Sequence, residues 1–208
     1  STLMVFLISV LLGLAMGSGT VFSLHYGAGN HVALRRSIFS SFVLIGIVTL
    51  ILNVAVFIWL DPILRLLQVP QDIYGMMRSY LWIIFCGIVF TFIYNFYASL
   101  LRAVGDSVTP LWFLAVSVVL NIALDLFFIL QLDWGIQGAA AATVLAQGVS
   151  ALGIIIYTYR RRPELRWHHE DMCFDRTCLK EIASFSTLTC IQPVSYTHLR
   201  AHETLSDL

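Results

Sequence analysis

Five long apolar stretches separated by short polar segments dominate the chain. Each is about 20 residues or longer, which is enough for an α-helix to cross about 30 Å of hydrocarbon at about 1.5 Å per residue. The pattern predicts five membrane-spanning helices, over residues 3–26, 38–60, 76–101, 110–131 and 136–159. We expect Pro110 in the first turn of the fourth helix with Thr109 as its N-cap, because proline lacks only an N–H that would be unpaired there.

Composition supports this reading and narrows the class of protein. Of the 208 residues, 59% are hydrophobic and 12% are charged, and the mean hydropathy is +0.85, far too apolar for a soluble domain. The formal net charge of +0 gives no reason to expect a nucleic-acid partner. The four cysteines show no metal-site spacing, so we expect neither a resident metal nor a cofactor. The chain is predicted to be an all-α polytopic protein of the cytoplasmic membrane.

Basic residues between the spans predict the orientation, because Lys and Arg collect in cytoplasmic loops. The segments after the first, third and fifth spans contain almost all of them. We therefore place residues 27–37, 102–109 and 160–181 in the cytoplasm. Trp59, Trp82 and Trp134 fall near predicted span ends, where aromatic side chains favour the interface.

Small residues predict close packing between the spans. The segments GLAMG, residues 13–17, and GIQGAAAAT, residues 135–143, would let helix backbones approach one another.

Polar side chains recur at helical spacing inside three of the spans. Residues three or four apart lie on one helical face, so each set forms a stripe. The stripes are Thr91, Asn95 and Ser99 in the third span, Ser117, Asn121 and Asp125 in the fourth, and Thr143, Gln147 and Ser150 in the fifth. For the Ser and Thr members the simpler interpretation is hydrogen bonding between helices. We predict that Ser117 and Gln147 line a cavity.

Asp125 needs a stronger explanation than helix packing. An Asp at the centre of a span costs about 2.5 to 3.5 kcal/mol, so it should face protein or water on an ion pathway. No Lys or Arg lies deep in a span to neutralise it. It is therefore expected to exchange a proton, or to bind Na⁺ together with the amide oxygen of Asn121. Helix geometry lets Thr143 meet Asp125 but puts Asn95 roughly 7 Å nearer the cytoplasm unless a helix tilts or bends.

Several motifs together resemble one transporter family. LLRAVGDSVTPLWF, NIALD and WGIQGAAAATVLAQ occur in that order, preceded by GLAMGSGTVFSLHYGAGNH. They are similar to the amino-terminal half of MATE (multidrug and toxic compound extrusion) transporters, over residues 1 to about 192.

The resemblance implies an architecture for the whole chain. Residues 1–159 would be helices two to six of a twelve-helix, two-bundle protein, 160–181 the cytoplasmic inter-bundle loop and 182–193 the start of helix seven. Helix one, with its acidic residue, and the second bundle would lie outside this sequence. We expect residues 194–208 to be a non-native tail.

The resemblance also implies a function. MATE transporters export organic, often cationic, drugs or toxic metabolites in exchange for H⁺ or Na⁺. The residues matching the family's cation-coupling pocket are Asp125, Asn121, Asn95 and Thr143.

Three other classes of function were weighed. A lipid-linked oligosaccharide flippase of a related superfamily should have cations facing its cavity, and none lies deep in these spans. An intramembrane enzyme would need paired carboxylates or a nucleophile with a base, whereas Asp125 is the only acid deep in a span. A non-transporting membrane subunit is opposed only by the cost of Asp125 and by the resemblance.

Overall fold

The computed structural model describes residues 2–66 and 70–166 together with Lys180 and Ser184; within these, the side chains of residues 2–10, 63, 65, 66 and 71 are left aside. The described chain forms five long α-helices: α1 Thr2–Gly27, α2 His31–Leu66, α3 Gln71–Ala103, α4 Val108–Leu126 and α5 Gly135–Arg161. A π-helical segment, Phe127–Gln131, continues α4, and a short 3₁₀ turn, Pro163–Leu165, follows α5.

Each predicted span coincides with one of these helices. α2, α3, α5 and α4 with its π-helical continuation each contain an apolar window long enough to cross a membrane, and α1 is itself 26 residues long. The predicted loop after Arg166, the start of a seventh helix and the tail lie outside the described residues, apart from Lys180 and Ser184.

α2 and α3 extend further than hydropathy predicted, because their polar ends remain helical. At one end of the bundle Arg78 Nε lies 2.8 Å from Asp61 Oδ1, and the Tyr74 hydroxyl donates to the same oxygen at 3.0 Å. Both partners of the ion pair are about half exposed. The pair lies beyond the level of Trp59 on α2, so these helix ends form a polar cap on the apolar core.

α3 is the centre of the bundle. α1 and α2 pack against one side of α3, α5 forms the most extensive interface on the other side, and α4 packs mainly on α5. Aromatic rings fill the space between α1, α2 and α3. The ring centroid of Phe96 lies 5.9 Å from that of Phe22 and 5.2 Å from that of Phe42, both edge to face.

Glycines close the two interfaces of α5. A Cβ added to Gly87 of α3 would lie 2.6 Å from Val144 Cγ2, and one added to Gly153 of α5 would lie 2.6 Å from the ring of Phe113. The predicted small-residue segments are buried as well, at Gly13, Gly17, Gly138, Ala140 and Ala142. Close backbone approach of this kind is how helices pack where the hydrophobic effect gives no driving force.

The described parts of the three predicted cytoplasmic segments, residues 27–37, 102–109 and 160–166, lie at one end of the bundle. Arg162 after α5 is 3.9 Å from Asp106 before α4, and Leu165 and Arg166 share a narrow cleft with Ile38 near the start of α2. The structure therefore confirms that these loops share an end, and the side of the membrane stays a prediction from their charge.

The cap of α4 differs from the prediction. Asp106, not Thr109, supplies it: Asp106 Oδ1 accepts the Thr109 backbone N–H at 3.1 Å, and Oδ2 accepts the Thr109 hydroxyl at 2.9 Å. Thr109 lies inside the first turn. Partial burial raises the pKa of Asp106, but the bonds from Thr109, the Tyr157 hydroxyl and the charge of Arg162 together hold that pKa below its ordinary value.

Candidate functional site

A cavity of about 310 Å³ lies between α3, α4 and α5. It is lined by Thr91, Tyr94, Asn95, Leu114, Ser117, Val118, Asn121, Thr143, Ala146, Gln147 and Ser150. The three predicted polar stripes therefore meet here, with two exceptions, Ser99 and Asp125. No residue of this lining carries a formal charge, so the cavity is a neutral, hydrogen-bonding space enclosed by apolar helices.

Asn121 and Thr143 form one end of the cavity. The Thr143 hydroxyl donates its proton to the backbone oxygen of Ala139 at 3.0 Å, so its oxygen is left to accept the amide of Asn121 at 3.3 Å. This arrangement turns the Asn121 nitrogen towards α5. Among the described residues the Asn121 side-chain oxygen has no donor, so it is available to a ligand.

Thr91 and Gln147 meet across the middle of the cavity, with Thr91 Oγ1 2.7 Å from Gln147 Oε1. Asn95 lies one turn further along α3 and donates its amide to the Thr91 backbone oxygen at 2.8 Å. Thr143 lies one turn from Gln147 in the opposite direction. At about 1.5 Å per residue, Asn95 is about 12 Å from the Asn121–Thr143 pair along the bundle.

The structure therefore does not bring all four predicted coupling residues together. Asn121 and Thr143 touch, and Asn95 lines the same cavity at its other end, in the direction that helix geometry predicted. One ion, bound at a little over 2 Å from its ligands, does not reach both ends in this conformation.

Asp125 lies one helical turn beyond Asn121, outside the cavity lining. Its Oδ1 is shielded from solvent and has no hydrogen-bond partner in the part of the chain that the structure describes. Buried carboxylate oxygens are normally paired, so this atom requires a ligand from elsewhere. The π-helical segment Phe127–Gln131 begins two residues later, and single π-helical turns occur often at functional sites.

Two serines of the stripes serve in packing. Ser150 donates to the backbone oxygen of Phe113 on α4 at 3.0 Å, and Ser99 donates to that of Ala15 on α1 at 2.7 Å. Both bonds join neighbouring helices, as the simpler interpretation predicted. Ser117 lines the cavity between the levels of Phe113 and Asn121.

Tyr94 is a further residue of the cavity that was not among the predicted site residues. Its ring lines the cavity, and its hydroxyl donates to the backbone oxygen of Pro110 at 2.7 Å, joining α3 to the first turn of α4. The available signal was its position next to Asn95 and three residues after Thr91, on the polar face of α3.

Comparison with known proteins identifies the family. The profile of the MatE family matches residues 1–127, which include α1 to α4 and both Asn121 and Asp125. The chain belongs to the MatE family.

Curated relatives of this MatE protein are named for drug resistance. Over 162 residues it is 36% identical to a probable multidrug resistance protein, YpnP, of Bacillus subtilis, covering 78% of this chain and 36% of that protein. It is 30% identical over 162 residues to a probable multidrug resistance protein, NorM, of Thermotoga maritima, covering 76% and 34%. The MatE chain thus spans about a third of the length of these relatives.

Solved structures agree with the fold. A crystal structure of MATE in complex with MaD5 superposes with a TM-score of 0.86 at 22% identity, over 94% of this chain and 45% of the other. An outward-facing multidrug resistance MATE family transporter gives 0.83 at 23%, over 91% and 42%. The MatE chain is therefore an all-α, multi-pass protein of the plasma membrane, in a family of transporters rather than enzymes.

Proposed function

We propose that this chain supplies part of a cation-coupled exporter, which releases organic, often cationic, compounds in exchange for H⁺ or Na⁺. Asp125 is the coupling residue, and Asn121 with Thr143 completes the neighbouring part of the cation site. The proposal concerns the whole transporter. The chain covers about a third of the length of its curated relatives.

The observation that carries the proposal is the state of Asp125. Its carboxylate lies in an apolar helix, one oxygen is shielded from solvent, and none of the described residues pairs with that oxygen. A carboxylate in such surroundings is costly unless a proton, a cation or a donor from elsewhere satisfies it. A coupling site must bind and release its ion, and a group without a permanent partner allows this.

The neighbouring oxygens suit either ion. The Asn121 side-chain oxygen has no donor among the described residues and lies one turn from Asp125. The two residues would bind a hard cation such as Na⁺ together through their oxygens. Asn95 lies at the far end of the cavity and contributes to the same ion only in a conformation that shifts α3 relative to α4. In the conformation described here its side chain lines the space for the organic substrate.

Export of drugs is proposed from the relatives' names together with the cavity. Multidrug resistance and multidrug export are named functions of the matched Bacillus, Thermotoga and Staphylococcus proteins. The cavity lining of α3, α4 and α5 combines apolar side chains with neutral hydrogen-bonding groups. Such a lining accepts amphiphilic organic molecules and does not favour the flippase alternative, which would use cations to hold a pyrophosphate.

Alternating access would convert ion binding into transport. Two arrangements of the bundle expose the cavity to opposite sides of the membrane, and a cation at Asp125 favours one of them only through its different affinity for the two. α4 carries Asp125 and has little contact with α3, although it packs along α5, so we assign the movement to α4 relative to α3.

The test is the substitution Asp125→Asn in the protein as its gene encodes it, reconstituted into liposomes. We expect ethidium efflux driven by an imposed H⁺ or Na⁺ gradient to fall to the level of protein-free vesicles, because a neutral amide cannot exchange a proton or balance a cation. Membrane insertion, measured by yield and by size-exclusion profile, should stay unchanged.

Asp133→Asn is the matched control. Asp133 is an exposed acid eight residues later at the end of the same hairpin, so its variant should transport like the wild type. Gradient-driven efflux by Asp125→Asn at the wild-type rate would contradict the proposal.

A further inference from the structure

The amide of Gln147 is oriented differently from those of Asn95 and Asn121, because its oxygen, rather than its nitrogen, is bonded to the protein. Both asparagines donate an amide N–H to a helix, at Thr91 O and Thr143 Oγ1, and keep a side-chain oxygen without a partner among the described residues. Gln147 instead receives a bond on its oxygen from Thr91. The orientation of that one amide therefore determines whether the cavity offers a ligand a donor at its middle level.

The contacts of the Thr91 hydroxyl show the orientation. Thr91 Oγ1 lies 2.7 Å from Gln147 Oε1 and 3.3 Å from the backbone oxygen of Gly87. A separation near 2.7 Å is typical of O–H···O, whereas N–H···O bonds centre near 2.9 to 3.0 Å, and 3.3 Å is long for a hydroxyl donor. The single Thr91 proton is therefore on the bond to Gln147, and the Gln147 oxygen faces α3.

The remaining group of Gln147 is its amide nitrogen, with two N–H donors. In the part of the chain described by the structure, this nitrogen has no acceptor, and Gln147 lines the cavity. The nitrogen is not enclosed in the protein interior, since among the described residues only Arg36, Ser40, Ser41 and Asp125 hold buried side-chain atoms without partners. The donors are thus accessible to a bound molecule.

The α3–α5 contact fixes this arrangement firmly. Gly87, one turn from Thr91, has no room for a Cβ beside Val144, and Gly148, next to Gln147, packs against the ring of Phe90. Both hydrogen-bonding partners are carried by backbones in close contact, so the amide keeps its orientation without help from a ligand. Preorganised donors lose little entropy on binding and discriminate strongly between ligands.

We infer that Gln147, positioned by Thr91, is a specificity-determining residue of the cavity and selects organic molecules that carry a hydrogen-bond acceptor, such as a carbonyl, over those that lack one. The inference rests on the proposed function, since it assigns the organic substrate to this cavity. The inference adds which organic substrates the middle of the cavity binds preferentially, namely those with a hydrogen-bond acceptor.

The experiment compares two probes, benzyltrimethylammonium and its para-acetyl derivative, which adds one carbonyl. Their dissociation constants are measured by calorimetry on the purified protein as its gene encodes it. We expect the wild type to bind the acetyl probe about two- to tenfold more tightly, the effect of one hydrogen bond. Gln147→Leu should lose the preference and bind both probes with equal dissociation constants.

Variants of Thr91 test whether its hydroxyl orients the Gln147 amide. Thr91→Val removes the hydroxyl at nearly constant shape and should abolish most of the preference, whereas Thr91→Ser should restore it. Thr158→Ala is the matched control, because Thr158 is a buried hydroxyl residue on the same helix as Gln147, lies outside the cavity lining and donates its proton to Ile154 O. That variant should keep the wild-type preference.

Equal binding of the two probes to the wild type, binding of neither, or an intact preference in Gln147→Leu would each overturn the inference. Failure of the proposed function has a different signature, because it appears as normal gradient-driven efflux by Asp125→Asn and does not depend on the preference between probes.

Discussion

α3 and α4 both carry polar residues through an apolar sequence, but their surroundings differ sharply. In the most apolar part of α3, 56% of the residues are buried, whereas in the most apolar part of α4 and its π-helical continuation none is. α3 lies between α1, α2 and α5, with Phe92 and Phe96 in the aromatic core. α4 is held to its neighbours by hydrogen bonds at Asp106, Pro110, Phe113 and Asn121.

The two helices are therefore held in the bundle in different ways. α3 is fixed by shape, since ring packing and glycine contacts leave it little freedom to move. α4 packs along α5, where Gly153 meets the ring of Phe113, but it has little contact with α3 beyond the Tyr94–Pro110 bond. If Asp125 couples transport to a cation, as proposed, the contact between α4 and α3 is the one that cation binding would change most readily.

Among substitutions that test this difference between α3 and α4, the largest loss of stability should come from disrupting the α3–α5 contact. Gly87→Leu forces a side chain against Val144, and overpacking of this kind costs about 1 to 3 kcal/mol. We expect a lower midpoint of thermal unfolding for the protein in detergent micelles. Gly75→Leu is the control on the same helix, because a Cβ at Gly75 meets no atom within 4 Å. Equal midpoints for the two variants would mean that shape does not fix α3.

A smaller effect is expected where Asp106 holds the start of α4. Asp106→Ala removes the cap and the contacts with Tyr157 and Arg162, and loss of an N-cap costs about 1 kcal/mol. Because the folded-state pKa lies below the ordinary value of 3.8, this stabilisation is present above that value and is lost as pH falls through the folded pKa.

The stability difference between wild type and Asp106→Ala should therefore be full at pH 7 and shrink in acid below about pH 4. Chemical unfolding at several pH values measures it. Asp106→Asn, which can still cap the helix, should lose less than Asp106→Ala. A difference that grows on acidification would refute the assignment.

The smallest effect should come from the link between α3 and α4 at Tyr94. Tyr94→Phe removes the bond to Pro110 O, and a single hydrogen bond between helices in a membrane contributes about 0.6 kcal/mol. Tyr80→Phe is the control on α3, since the Tyr80 hydroxyl has no hydrogen-bond partner among the described residues. If both variants unfold at the wild-type midpoint, the Tyr94 bond does not hold α4.

Hydropathy predicted the helices well because span length and apolar content are properties of each segment alone. The meeting of the polar stripes also followed from spacing on each helix. The height of Asn95 relative to Thr143 depends on how far α3 and α5 slide past one another, and the Gly87–Val144 contact fixes that register. Residue spacing along each helix predicted that Asn95 lies nearer the cytoplasm than Thr143, but it could not predict the distance between their levels.

Details of hydrogen bonding were less predictable. Asp106 and Thr109 are both favourable caps in sequence, and only the path of the loop gives the role to Asp106. Tyr94 was missed because its partner is a backbone oxygen, which sequence does not distinguish from any other. The two functions of the stripe serines likewise depend on which neighbouring helix each one faces.

The π-helical segment Phe127–Gln131 has a consequence for how this hairpin tolerates a change of length. A π-helical turn holds one residue more than an α-helical turn, so it absorbs a single inserted residue without displacing the helix on either side. The segment lies between Asn121 and Asp125 on one side and the tip of the hairpin on the other, and Phe128 within it stacks on Trp134. Inserting one residue at the tip of the α4–α5 hairpin should therefore leave the orientation of the Asp125 carboxylate unchanged.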